Sequence, residues 1–266
     1  MTDGAAAGVP LAGLVAAGVG LGAIVGSFLA TILVRWPQQR SALAGRSRCD
    51  GCGAPLGAAE LVPILSFAAM RGRCRHCGCA IDPRHVAVEL AGALIGLVSV
   101  LAHPLPMAAA TLLFGLLLLV IAALDAEHHW LPDALTLPLI PLGLLAGWLG
   151  YGPPLLDRVI GAAAGWLALT LLALLYRRLR GREGLGGGDP KLLAGIGAWL
   201  GLLLLPFVLA GAGLLGLVAL VAMRVRGAAV GPATRLPLGT LMALAAWPIW
   251  LIWEQIYSGS VQTNLL

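Results

Sequence analysis

The chain has 266 residues, of which 59% are hydrophobic and only 11% charged, and its net charge is +5. Soluble domains carry about 25% charged residues, so this composition, with its mean hydropathy of +0.93, excludes an ordinary soluble protein and describes a polytopic membrane protein. The basic residues sit in short loops, where membrane topology and anionic lipid account for them; they give no ground for nucleic-acid binding.

A helix that crosses a bilayer needs about 20 apolar residues. Eight such runs are predicted, at 9–34, 86–102, 107–124, 134–150, 155–175, 190–205, 206–223 and 236–257. The first has no basic region before it and ends against Arg35, so it reads as a retained span and not as a cleaved signal. The stretch 192–223 is interrupted only by Pro206 and is predicted as a tight helical hairpin, because a single span would put the next basic loop on the opposite side. With this arrangement sixteen of the 17 basic residues fall on one face, Arg158 being the exception. The positive-inside rule makes that face cytoplasmic and places both termini outside. The fold predicted is therefore all-α and polytopic, with about eight transmembrane helices and a small zinc-ribbon-like cytoplasmic loop. Residues 1–35 form the first span, 36–84 the loop domain and 85–266 the membrane core.

The loop holds all five cysteines. Cys49-Asp-Gly-Cys52 and Cys74-Arg-His-Cys77 are two Cys-x-x-Cys pairs at zinc-ribbon separation, each able to form a tight knuckle and together a four-thiolate tetrahedron. Gly51, Gly53 and Gly78 suit the close turns of such knuckles. The loop lies on the reducing side, which disfavours stable disulfides. Cys79 is left over as a small free thiol, and His76 is expected to be solvent-exposed. Four thiolates leave no open position for water, so the zinc would be structural.

Two acids end apolar runs: Asp125, with no polar side chain between Leu112 and Leu124 before it, and Asp189, in Gly186-Gly187-Gly188-Asp189-Pro190-Lys191. A carboxylate at the centre of a membrane helix costs about 2.5–3.5 kcal/mol, so an acid near membrane depth is a functional candidate. Two such acids suggest a pair sharing one proton, the machinery of aspartic proteolysis. Asp133 opens the run after Pro132 and is expected to cap a helix N-terminus; Asp125 is preferred as the catalytic acid. Glu127, His128 and His129 are read as solvated loop residues. Lys191 is expected to reach lipid headgroups, the alternative being to sit beside a carboxylate.

Several segments carry a wider likeness: Gly26-Ser-Phe-Leu29 with Arg35-Trp-Pro37, Pro63-Ile-Leu-Ser66 and Arg71-Gly-Arg-Cys74-Arg around the cysteine pairs, Leu131-Pro-Asp133-Ala-Leu-Thr-Leu-Pro138 after Asp125, and Gly186-Gly-Gly-Asp189-Pro-Lys191-Leu-Leu. Together they resemble, over most of the chain, the type IV prepilin leader peptidases, membrane aspartic proteases with an associated N-methyltransferase activity. The resemblance implies Asp125 and Asp189 as the catalytic acids of an inner-membrane endopeptidase. It also implies cleavage on the cytoplasmic side, after a glycine, of the basic leader of type IV prepilins or type II secretion pseudopilins. The new N-terminal residue would be methylated with S-adenosylmethionine. Nothing in the chain resembles a Rossmann fingerprint, so methylation rests on the resemblance alone. The rival reading is a non-enzymatic scaffold or transporter with a zinc-stabilised loop, whose two acids bind an ion or a proton.

Overall fold

The computed structural model describes residues 10–42, 46–181, 184–229, 231 and 234–253. Val9 of the first expected run, residues 254–257 of the last, and Arg182 of the expected basic loop lie outside the described residues. Among the described residues there are nine α-helices and no strand beyond two isolated bridges. They are α1 (Leu11–Arg35), α2 (Leu65–Ala69), α3 (Pro83–Ala102), α4 (Met107–His128), α5 (Asp133–Trp148), α6 (Leu155–Arg180), α7 (Asp189–Leu200), α8 (Leu205–Val225) and α9 (Leu238–Leu251). Five are long and apolar enough to cross a membrane: α1 with the turn after it to Gln38, α3, α4, α6 and α8. The chain is a multi-pass membrane protein.

The expected count of eight spanning helices is not confirmed, since three of the apolar runs form shorter helices. α5 has 16 residues, α9 has 14 and α7 only 12, so α7 is about 18 Å long against a hydrocarbon core of about 30 Å. The expected hairpin does break, but earlier than Pro206 suggests. Gly201, at φ 77° and ψ 175°, ends α7, and α8 restarts at Leu205 with Pro206 in its first turn. Pro fits there because the first-turn N–H groups have no helical partner in any case.

The chain forms two compact units, residues 1–120 and 121–266. In the first, α1 and α3 lie against each other along glycines. A Cβ on Gly18 or Gly26 of α1 would stand 2.8 Å from the carbonyl oxygen of Gly96 or Val88 on α3. In lipid no hydrophobic force draws helices together, so close backbone approach at small residues supplies the attraction. α3 starts where Asp82 accepts the Arg84 N–H at 2.9 Å, and the Arg84 guanidinium beside it, 2.6 Å away, holds the Asp82 carboxyl below its ordinary range.

In the second unit every residue of α7 except Lys191 is buried. A Cβ on Gly165 of α6 would stand 2.7 Å from the Leu193 carbonyl oxygen, and one on Gly195 would stand 2.7 Å from Leu139 Cβ of α5. A helix too short to span is thus encased between two others. Arg158, the one basic residue expected on the far face, is not a loop residue. It is fully buried on α6, and donates to the carbonyls of Pro153 at 2.8 Å, Gly143 at 2.6 Å and Tyr151, with its guanidinium 5.5 Å from the Trp250 ring centroid.

Candidate active site and metal centre

α4 runs four residues past its expected end at Leu124, to His128. Asp125 therefore occupies the last full turn of the helix and not its terminus, and it is 5% exposed. Glu127 and His128 are helical, not loop, although they face solvent as expected; His129 turns the chain with φ 48°. Asp125 Oδ2 accepts the backbone N–H of Thr240 at 2.8 Å, and the Thr240 hydroxyl lies 3.2 Å from the same oxygen. Thr240 is in the first turn of α9, where the N–H groups lack helical partners. Its hydroxyl also donates to the Ala122 carbonyl at 2.9 Å, which ties α9 to the turn before Asp125.

Asp189 is the first residue of α7 and is 7% exposed. Its Oδ2 accepts the Gly186 N–H at 3.0 Å. Among the described residues neither Asp125 Oδ1 nor Asp189 Oδ1 accepts a protein hydrogen bond. Leu131 connects the surroundings of the two acids, lying against the backbone next to each. A Cβ on Gly188 would come within 2.5 Å of Leu131 Cβ. A Cβ on Gly239 would come within 2.8 Å of Leu131 Cδ2 and 3.0 Å of Asp125 Oδ2. Gly188 and Gly239 are glycine for lack of space at the acids.

Asp133 belongs to a different arrangement. Its side chain makes no helix cap; the residue before it, Pro132, holds that position. The carboxylate instead takes Lys191 Nζ at 2.6 and 2.8 Å, with side-chain exposures of 55% and 35% for Asp133 and Lys191. Lys191 thus meets a carboxylate, the alternative to the lipid role expected for it. Thr240, Gly239 and the Lys191–Asp133 pair escape sequence reasoning: Thr240 is 115 residues from Asp125, and nothing local to either residue marks the contact.

In the first unit the two cysteine pairs fold alike. Cys49 N–H donates to the Ala54 carbonyl and Gly53 N–H to the Cys49 carbonyl; Cys74 N–H donates to Cys79 and Gly78 N–H to Cys74, all at 2.8–2.9 Å. Gly53 and Gly78 have φ of 71° and 69°, the left-handed turn that closes a knuckle. Gly51 is glycine for another reason, since a Cβ there would stand 2.7 Å from Cys79 Sγ. The Sγ atoms of Cys49, Cys52, Cys74 and Cys77 all lie within 4.8 Å of one another, an arrangement able to hold a metal ion. Cys49 and Cys77 are 3.9 Å apart, close to the edge of about 3.8 Å of a thiolate tetrahedron with zinc–sulfur bonds of about 2.3 Å. Cys79 is 3.0 Å from Cys77 Sγ, too near to share such a tetrahedron with it, and in the repeated fold it stands where Ala54 stands in the first knuckle. His76 is exposed, as expected.

The family model "Bacterial Peptidase A24 N-terminal domain" matches residues 21–103, and "Type IV leader peptidase family" matches residues 112–221. A Pseudomonas putida protein named prepilin leader peptidase/N-methyltransferase is 35% identical, over 91% of this chain and 92% of its own. Proteins of the same name from Dichelobacter nodosus and Burkholderia pseudomallei strain 1026b are 37% and 42% identical, covering 83% and 85% of this chain and 76% and 81% of theirs. No solved structure matches. The chain belongs to the type IV leader peptidase family.

Proposed function

We propose that this chain removes the basic leader of type IV prepilins or type II secretion pseudopilins by an aspartic mechanism and then N-methylates the new N-terminal residue. The observation that carries the reading is the pair of buried carboxylates, Asp125 and Asp189, each with one oxygen held by a backbone N–H and the other without a protein partner. In a poorly solvated site two neighbouring carboxyl groups share a proton. The ionised member draws a proton from water as its oxygen attacks the scissile carbonyl. The protonated member donates to the carbonyl oxygen and, as the tetrahedral intermediate collapses, the leaving amine takes a proton. The Thr240 and Gly186 N–H groups fix the two side chains, so little reorganisation accompanies the reaction.

Zinc on Cys49, Cys52, Cys74 and Cys77 would hold the 36–84 loop domain together; four thiolates leave it no water to activate. S-adenosylmethionine supplies the methyl group, as the N-methyltransferase part of the relatives' name supports. Arg177, Arg178 and Arg180, a few residues before Asp189, support an inner-membrane protein with the paired acids on the cytoplasmic side. A prepilin's apolar helix then stays in the bilayer while its basic leader reaches the acids. A non-enzymatic scaffold or transporter is not favoured, since the relatives carry an enzyme's name. The test is to incubate the purified protein with a prepilin and labelled S-adenosylmethionine and to weigh the product's N-terminus. A full-length N-terminus refutes cleavage, and a trimmed, unmethylated one refutes the second activity.

A further inference from the structure

The two acids assigned to leader removal are held alike except at one atom. Each has its Oδ2 on a backbone N–H, that of Thr240 at 2.8 Å for Asp125 and that of Gly186 at 3.0 Å for Asp189. Asp125 also meets a hydroxyl, since Thr240 Oγ1 lies 3.2 Å from the same Oδ2. That hydroxyl has a second acceptor, the Ala122 carbonyl, at 2.9 Å. The backbone comes this near because Gly239 precedes Thr240: a Cβ on Gly239 would stand 3.0 Å from Asp125 Oδ2. A threonine hydroxyl carries one hydrogen and turns about its C–O bond, so it serves one of the two acceptors at a time. The charge on Asp125 decides which. A hydrogen bond to an ionised acceptor is roughly twice as strong as one to a neutral acceptor. The hydrogen therefore belongs to Asp125 Oδ2 while that side chain is ionised and to the Ala122 carbonyl once it is protonated.

Resting on the aspartic mechanism above, we propose that Thr240 is a positioning residue for leader removal, its hydroxyl hydrogen turning from Asp125 to the Ala122 carbonyl when Asp125 takes a proton and back when Asp125 releases it. Both acids pass through both states in each turnover. The member that acts as base takes a proton from water as the water oxygen bonds to the scissile carbon. It returns that proton to the amine as the C–N bond breaks. The other member gives its proton to the carbonyl oxygen and recovers one from the intermediate's hydroxyl as the C=O bond re-forms. Asp125 changes charge in either role, and the Thr240 hydroxyl gives its ionised form a second donor. Only one hydrogen turns. No heavy atom has to move, so the site meets the changing charge without reorganising. The Thr240 N–H keeps its bond to Oδ2 throughout and holds the side chain in place.

The test is steady-state leader removal from a purified prepilin by the full-length protein in lipid nanodiscs, with kcat and KM measured separately for wild type, Thr240→Ser, Thr240→Ala and Thr240→Val. Serine keeps the hydroxyl and alanine does not, while both lack the γ-methyl, so the change in packing cancels between them. Thr240→Ser is expected to stay near the wild-type kcat. Thr240→Ala should fall at least about tenfold below it, equivalent to about 1.4 kcal/mol, with KM the same in both, because the hydroxyl acts in the chemical step and not in substrate binding. Thr240→Val, which keeps the volume and loses the donor, should be as slow as Thr240→Ala. Equal kcat in the serine and alanine variants overturns the proposal, and so does a loss that appears in KM alone. Should Thr240→Val insert poorly, the serine–alanine pair decides by itself. Wild-type cleavage by Asp125→Asn refutes the aspartic mechanism. Cleavage that needs Asp125 but ignores the Thr240 hydroxyl refutes only the role given to Thr240.

Discussion

Replacing Asp125, Asp189 and Asp133 one at a time by Asn separates two environments that look alike in sequence. Each of the three acids lies at or near a helix end, yet Asp125 and Asp189 are 5% and 7% exposed, while the Asp133 side chain is 55% exposed and paired with Lys191. An exposed ion pair, screened by solvent, contributes about 0.2–1 kcal/mol even with contacts as short as these. Asp133→Asn should therefore lower leader removal by no more than about fivefold. Asp125→Asn and Asp189→Asn each remove a proton carrier, a contribution of about 10²–10⁴ in rate. The double variant should be no slower than the worse single one, because the two act as a unit. The assay is immunoblot detection of mature against precursor pilin, at equal membrane abundance of every variant. An inactive Asp133 variant beside an active Asp125 variant would move the catalytic acid eight residues along the chain. Robust cleavage by Asp189→Asn would end the aspartic mechanism.

Metal analysis of the purified protein should show zinc lowered in Cys49→Ser and in Cys74→Ser but retained in Cys79→Ser, since Cys79 matches Ala54 in the repeated knuckle; full zinc in the first two would remove the four-thiolate assignment. Gly188→Ala places a methyl 2.5 Å from Leu131 Cβ beside Asp189; the overlap costs about 1–3 kcal/mol and should cut leader removal about tenfold or more, with insertion unchanged by fractionation. Arg158→Met strips charged hydrogen bonds from three carbonyls in the second unit. At about 1.5–3 kcal/mol each, not additive, their loss should lower the thermal midpoint in detergent clearly, and an unchanged midpoint would show that Arg158 carries no stability.

The knuckles were legible because they are local. Each is closed by contacts within six residues, Cys49 to Ala54 and Cys74 to Cys79, so two cysteines and a glycine at fixed spacing were enough to locate them. The candidate acids were legible because carboxylates are expensive beside apolar runs. Their surroundings were not. Thr240 on α9 and Gly186 reach the two acids from different stretches of chain, and Gly188 and Gly239 matter because Leu131 fills the space beside them.

By itself the sequence determined that the chain is a membrane protein, where its helices lie, which four cysteines gather, and which two acids stand at the ends of apolar runs. These follow from composition, hydropathy and short spacing, all properties of neighbouring residues. Only the tertiary structure decided that α7 is a short helix enclosed by α5 and α6, that Asp133 belongs to Lys191, and that Arg158 turns inward to carbonyl groups. Hydropathy measures how willingly a residue leaves water, and it cannot tell lipid from protein as the destination. Which of the two receives each apolar face, and which partner meets each buried charge, is settled by packing between segments far apart in the chain.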